Sequence, residues 1–308
     1  MQISHAISHI TPSAPMSSKS GASLLSQKAL PDQVRAVCIM AVYAGDTPIQ
    51  VNRAIVSILR QSSSACLFII VIDGSVSDEI NAVLKACDQS EASVILIQQH
   101  ENRGLAHSLN LAIDWAEQFS PDFYFRMDAD DEALPERFSR QLAFFKESPN
   151  VDVLGTGMIE LDGNGKQIVR IPPTAGDEIV GALARRSHLY HPTVAFRGRI
   201  FRRGFRYPTA FSYVEDLRFW AELAKAGFRF ANLPEALLKF TVNKDFYRRR
   251  GLQRNFAELQ ARLYVMRELT QYSTFNLLYA LAVFAVRLMP AWLLRSAYSF
   301  DRQKGGGR

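Results

Sequence analysis

Between residues 34 and 128, short apolar runs without alternation take turns with amphipathic stretches, and that pattern leaves few folds open. VRAVCIMAVY (34–43), CLFIIVID (66–73), SVILIQQ (93–99) and DFYFRMD (122–128) read as strands. PIQVNRAIVSILRQ (48–61), DEINAVLKAC (78–87) and GLAHSLNLAIDWAEQF (104–119) read as helices. A strand that is apolar on both sides of its pleat must be covered on both faces, and a helix between two such strands makes them parallel. The spacing predicts a doubly wound α/β nucleotide-binding half, whose ligands gather beyond the carboxyl ends of the strands where strand order reverses. Each predicted strand ends there in polar or glycine residues: Tyr43 to Asp46, Asp73 to Ser75, Asn102 to Gly104, and Asp128 to Asp130.

Past residue 150 the pattern changes. VDVLGTGMIELDGNGKQIVRI (151–171) predicts two antiparallel strands joined at Gly163–Asn164–Gly165, and an arginine-rich stretch (185–206) follows. EDLRFWAELAKAGFRFANLP (215–234) predicts a helix, a stop at Gly227 and a short strand. The first 33 residues are Ser-rich and nearly uncharged, without an apolar core of signal-peptide length, and are expected as a disordered tail. At the other end, the apolar stretch 275–300 is broken by Arg287, Pro290 and Arg295, short of the roughly 18–20 apolar residues that a spanning helix needs. It is expected as helix lying on an anionic membrane surface or packed on the domain. The expected organisation is thus a tail (1–33), one domain (34–243) whose halves divide near residue 131, and a helical extension (244–308).

Charge and cysteine usage narrow the function classes. A net charge of +6 implies an anionic partner, and with no nucleic-acid-binding motif that partner is expected to be a phosphorylated small molecule or an acidic membrane. Cys38, Cys66 and Cys87 lack a CxxC spacing and read as reduced, buried thiols, which suits a cytoplasmic location.

The densest charge stands in FYFRMDADDEALPERF (123–138), where Asp128, Asp130, Asp131 and Glu132 follow an aromatic strand. In an extended chain Asp128 and Asp130 share a face about 7 Å apart, and at an effective dielectric near 20 they repel by roughly 2 kcal/mol. A divalent cation reverses that sign, and carboxylate oxygens suit Mg²⁺ or Mn²⁺. Asp131 and Glu132 also suit the start of a helix opening near Pro135, so for them both readings stay open. A second acidic turn, VIDGSVSDE, places Asp73 and Gly74 at a strand mouth, with Ser77 or Asp78 as an alternative helix cap. Glu215–Asp216 before a helix reads either as a cap or as a carboxylate able to take a proton. His188 and His191 lack zinc-ligand company, and Arg248 to Arg250 suit either a diphosphate or anionic lipid.

Taken together, VIDGSVSDE, ENRGLAHSLNLAI, FYFRMDADDEALPERFSRQLAFF, HPTVAFRG and EDLRFWAELAKAGFRFANLPEALLKF resemble glycosyltransferase family 2, in order, from about residue 35 to 243. The resemblance is to bacterial members that build exopolysaccharide or O-antigen repeat units. It implies a GT-A fold with a mostly parallel central sheet flanked by helices. It also implies a nucleotide-sugar donor, expected as a UDP-sugar, with Mg²⁺ or Mn²⁺ at the DxD motif and inversion at the anomeric carbon. The expected acceptor is a saccharide or a lipid-linked saccharide at the inner face of the cell membrane. Carried over by position, Val42, Tyr43 and Asp73 border the base, and Asn102, Arg103 and Gly104 belong to the donor site. Asp128 lies near ribose and metal, and Asp130 holds the cation on the diphosphate; Arg248, read from residue type alone, suits the diphosphate, anionic lipid or water. Asp216 is the base by resemblance; read from the residues, Glu215 suits orienting it or meeting the acceptor, and His191 suits the acceptor pocket, the metal or a structural role. The chain departs from the family in one respect, a single Asp73 before Gly74 where a doubled acid is frequent. Without a Q-x-x-R-W motif or a multi-span region, transfer of one sugar is expected. A nucleotidyltransferase is the rival enzyme class, but VYAGDTPIQ lacks its Gly-rich basic loop. A non-catalytic sugar-binding protein is the other rival.

Overall fold

The computed structural model describes residues 21–288 apart from 32, 63–65, 92, 162–165, 211–212 and 242–251. Arg248 to Arg250, the Gly163–Gly165 turn, and Trp292, Leu293 and Arg295 lie outside the described residues. In chain order the elements are β1 (Ala22–Leu24), β2 (Ala36–Tyr43), α1 (Pro48–Leu59), β3 (Cys66–Asp73), α2 (Asp78–Ser90), β4 (Val94–Gln99) and α3 (Leu105–Ala116). Next come β5 (Phe123–Asp128), β6 (Glu132–Ala133), α4 (Arg137–Glu147), β7 (Val153–Leu161), β8 (Gln167–Arg170), α5 (Gly176–Ala182), β9 (Ala195–Arg197) and α6 (Arg199–Arg202). The chain closes with α7 (Glu215–Lys225), β10 (Phe230–Thr241), α8 (Leu252–Glu268) and α9 (Thr274–Arg287).

One sheet runs β1-β4-β3-β2-β5-β9-β7-β10-β6, with β8 beside β7. Its centre, β4-β3-β2-β5, is parallel as the apolar runs require. Around that centre the sheet is mixed, since β9 joins β5 and β7 antiparallel while β10 is parallel to β7. The chain steps from β2 outward to β4 and then returns to β5 on the other side of β2. Strand order therefore reverses between β2 and β5, where Ala41 stands beside Asp128.

Side-chain alternation sorts the core. Val37, Ile39, Ile69 and Val71 face a layer with Leu109 and Ile113 of α3 and Phe219 and Trp220 of α7. Cys38, Met40, Ile70, Ile72, Phe125 and Met127 face the opposite layer, with Val51 and Ile55 of α1, Leu84 of α2 and Phe138 of α4. Each such fully buried side chain contributes about 1.5–3 kcal/mol. Ser77 accepts a hydrogen bond from Ile80 N (3.3 Å), so the capping role of that residue holds. All three cysteines are free thiols, with Cys38 and Cys87 buried and Cys66 half-buried.

Three expectations change. Within the stretch expected as a tail, Ala22–Leu24 form an edge strand antiparallel to β4, and Ser26 Oγ accepts from Leu96 N (2.8 Å). The helix expected to open near Pro135 starts at Arg137, because Glu132–Ala133 pair with Leu238 and Lys239 of β10 instead. The strand after Gly227 is the twelve-residue β10, not a short one. Helix α9 meets the packing reading of the C-terminal stretch. Its inner side packs on the domain, with Asn255 Nδ2 donating to Phe284 O (3.0 Å) and Arg185 Nη1 to Asn276 Oδ1 (2.7 Å). Its outer side exposes Phe275, Leu278 and Leu281. Among the described residues no helix is long and apolar enough to cross a membrane.

Candidate active site

Strand β5 ends at Asp128, and the chain then turns, with Asp131 N donating to Asp128 O (3.4 Å). This turn, and not an extended run, brings oxygens of Asp128, Asp130 and Asp131 within 4.8 Å of one another. Asp131, fully buried, joins the two acids expected as metal ligands. One oxygen, Oδ1, accepts from Thr241 N (3.2 Å), while Oδ2 has no partner among the described residues. Burial, and then the neighbouring Asp128 and Asp130, push its carboxyl well above the usual carboxylate range. A compact set of hard oxygens with one orphaned buried atom fits Mg²⁺ or Mn²⁺.

Protein cations make this charge density tolerable. Asp128 forms an ion pair with Nη2 of Arg126, and Lys239 Nζ holds Glu132 Oε1 at 2.8 Å. From α1, Arg53 Nη2 donates to Asp130 O (3.1 Å) and to Thr241 Oγ1 (3.0 Å), clasping the acidic turn to the end of β10. Behind β5, the buried Arg137 donates Nη2 to Arg126 O (2.7 Å). Glu132 therefore belongs to a strand pair, and the helix-start reading of Asp131 and Glu132 falls.

Glu215 and Asp216 open α7, which packs on the sheet face that Arg126 shares. Residue Ile39, in register with Arg126 on β2, belongs to the core layer of Phe219 and Trp220. Both acids keep part of their surface open, yet the surrounding protein desolvates them. Burial pushes both carboxyls up, against the lowering effects of backbone amides and Arg126. Leu217 N donates to Asp216 Oδ1 (2.7 Å), fixing one oxygen, and Glu215 Oε2 is buried without a partner among the described residues. His191 Nε2 lies 3.0 Å from the Tyr207 hydroxyl, and its ring stands edge-on to Trp220 at 5.8 Å between centroids. Burial, and then Arg126, push its imidazole well down, so the ring is neutral.

The loops after β3 and β4 meet at Asp73. Its carboxylate accepts from Arg103 N (2.8 Å), Gly104 N (2.9 Å) and Gln99 Nε2 (2.8 Å), and the residue is 3% exposed. Asp73 thus shapes the Asn102–Arg103–Gly104 loop, and Asn102 Nδ2 returns a bond to Asp73 O (3.2 Å). Gly74 at φ +79° lies so close that a Cβ there would stand 2.8 Å from Asn102 N. Tyr43 carries the accessible end of β2. Val42, expected beside the base, is fully buried, because alternation turns it into the α1 layer.

Sequence reasoning thus placed Tyr43, Asp73, Asn102 to Gly104, Asp128 and Asp130 at or just after strand ends, and Glu215 and Asp216 at the start of a helix, where the structure has them. It missed Arg53, Arg126 and Asp131 as parts of the site. Arg126 carried a signal, since a charged residue inside an otherwise apolar strand, two positions before an acid, must find its counter-charge on the same face.

Comparison with known proteins agrees with this geometry. The family model described as Glycosyl transferase family 2 matches residues 38–205. The Amylovoran biosynthesis glycosyltransferase AmsE of Erwinia amylovora is 27% identical over 268 residues, covering 86% of this chain and 98% of that protein. The UDP-Gal:alpha-D-GlcNAc-diphosphoundecaprenol beta-1,3-galactosyltransferase of Escherichia coli is 27% identical, covering 82% of this chain and 90% of its own. Among solved structures, the mannosyltransferase PcManGT of Pyrobaculum calidifontis, in complex with GDP-Man and Mn²⁺, superposes with a TM-score of 0.56. That match has 14% identity and covers 88% of this chain and 80% of that one.

Proposed function

The chain belongs to glycosyltransferase family 2, and from that premise we propose that it transfers one sugar, with inversion, from a nucleotide sugar to a hydroxyl of a saccharide or lipid-linked saccharide. A UDP-sugar is the expected donor, as the name of the Escherichia coli galactosyltransferase states for that relative. The product belongs to bacterial surface polysaccharide or glycolipid, the field of the amylovoran enzyme. The observation that carries this reading is that two acid sets, Asp128, Asp130 and Asp131 on one side and Glu215 and Asp216 on the other, share Arg126 as a neighbouring cation.

The two sets suit different work. A divalent ion held by Asp128, Asp130 and Asp131 would offset the charge that develops on the departing nucleoside diphosphate. Asp216, desolvated and fixed through one oxygen, has the other oxygen to take the proton of an acceptor hydroxyl. Glu215 beside it orients the acceptor or the base. A single displacement with the base opposite the leaving group inverts the anomeric carbon, and no second carboxylate is needed as a nucleophile. Tyr43, with the loop that Asp73 shapes, borders the nucleobase. Incubation with a panel of nucleotide sugars, with and without Mn²⁺, tests the reading. Mn²⁺-dependent release of nucleoside diphosphate with acceptor is expected, and pyrophosphate formed from a sugar phosphate and a nucleoside triphosphate would overturn it.

A membrane contact forms part of the same proposal. Phe275, Leu278 and Leu281 repeat at helical spacing on the outer side of α9 and suit the interface of an anionic bilayer. Changing Leu278 and Leu281 to Ser keeps the Phe275 ring on which the Arg185 guanidinium stacks. Flotation with vesicles containing anionic lipid should fall, and an unchanged bound fraction would remove the membrane from the account.

A further inference from the structure

Arg126 sits at 1% exposure within β5, and as the second residue before Asp128 it shares that residue's face. Its Nη2 serves the ion pair with Asp128, while Nε and Nη1 are buried without partners among the described residues. A guanidinium has five donors in a fixed fork, and leaving buried ones unused is costly. Glu215 Oε2, at the start of α7 over the same face, is an equally buried acceptor without a partner among the described residues. The charges of Arg126 and Glu215 act on each other, and Asp216, Asp131, His191 and Tyr207 feel Arg126 as well. One protein cation therefore stands between the acids of the leaving-group side and those of the acceptor side.

Resting on the metal-dependent transfer proposed above, we propose that Arg126 is the built-in counter-cation of the acid cluster. It holds Asp128 while no divalent ion is bound, and hands its unused nitrogens to Glu215 once Asp128 becomes a ligand. The two cations compete for one carboxylate, so filling the donor side rearranges a charge on the acceptor side. Arg126 is in this sense a positioning residue, acting through Asp128 and Glu215.

Titration of Mn²⁺ alone into the full chain, followed by calorimetry, tests this in wild type and in Arg126→Met. Loss of a resident competitor should tighten Mn²⁺ binding by about tenfold or more, whereas a merely structural role would weaken it. Unchanged or weaker binding by a folded Arg126→Met protein overturns the proposal. A crystal of wild-type protein soaked in Mn²⁺ gives a second measurement that does not depend on the variant folding. There the Arg126–Asp128 pair should be open, with Nε or Nη1 on Glu215, and an intact pair beside a bound ion overturns the proposal. Equal affinity in both proteins rejects only the role of Arg126, while failure of both to bind Mn²⁺ rejects the metal site as well.

Discussion

Asp216→Asn is expected to slow sugar transfer by about 10²–10⁴-fold, the range of a lost general base, while nucleotide-sugar affinity stays near that of wild type. The same change should raise the melting temperature at neutral pH. Burial pushes the Asp216 carboxyl above its ordinary range in the folded chain. Its contribution to stability is therefore full below the unfolded value and is lost as pH rises through the folded value. At neutral pH the wild-type chain carries a desolvated charge that Asn lacks. The direction of the shift also fixes the acid limb of kcat/KM, which should lie above the ordinary carboxylate range in wild type. Transfer assays, donor calorimetry and thermal melts on one preparation check all three outcomes, and near-normal turnover would reject Asp216 as the base.

Asp130→Ala and Asp128→Ala should separate binding from stability. Both remove an expected metal ligand and should abolish the Mn²⁺-dependent part of nucleotide-sugar binding. Only Asp128→Ala also strips the partner from a buried guanidinium, which costs about 3 kcal/mol, the low end for a buried pair, because the Asp128 side chain keeps 28% of its surface exposed. Asp130→Ala leaves intact the backbone carbonyl that Arg53 holds. Calorimetry with Mn²⁺ should thus show the same loss in both variants, and chemical denaturation should show a large loss in Asp128→Ala. Unchanged Mn²⁺-dependent affinity in Asp130→Ala would count against the site.

The parallel centre of the fold was legible because its signal is local. Apolar runs such as CLFIIVID must be covered on both faces, and the helices between them leave one pairing direction. The acids at strand ends were legible for the same reason, since a carboxyl-edge position follows directly from a strand boundary. What stayed hidden depends on distant partners. Asp131 looks like a helix-start residue until Thr241, far along the chain, offers it an amide. Arg53 reads as one polar position of an amphipathic helix, and its bond to Asp130 O spans 77 residues. Asp73 was found, but its carboxylate turned out to hold the backbone of Arg103 and Gly104, a use that residue type alone does not reveal. Ala22–Leu24 form a strand because β4 presents a free edge, although their composition resembles that of a tail.

The unbroken hydrogen-bonded run from β1 to β6 has a consequence for engineering chimeras. The two halves meet along a seam where Phe123, Tyr124 and Phe125 pair with Arg197, Phe196 and Ala195. Tyr124 and Phe196 each pack against Phe201, their ring centroids 4.7 Å and 5.4 Å from it. Such a seam ties β5 to β9 by backbone and by packing, so grafts that retarget the enzyme belong in the loops along the carboxyl edge. An exchange of whole halves between relatives would succeed only if these three rungs and their aromatic backing travel together.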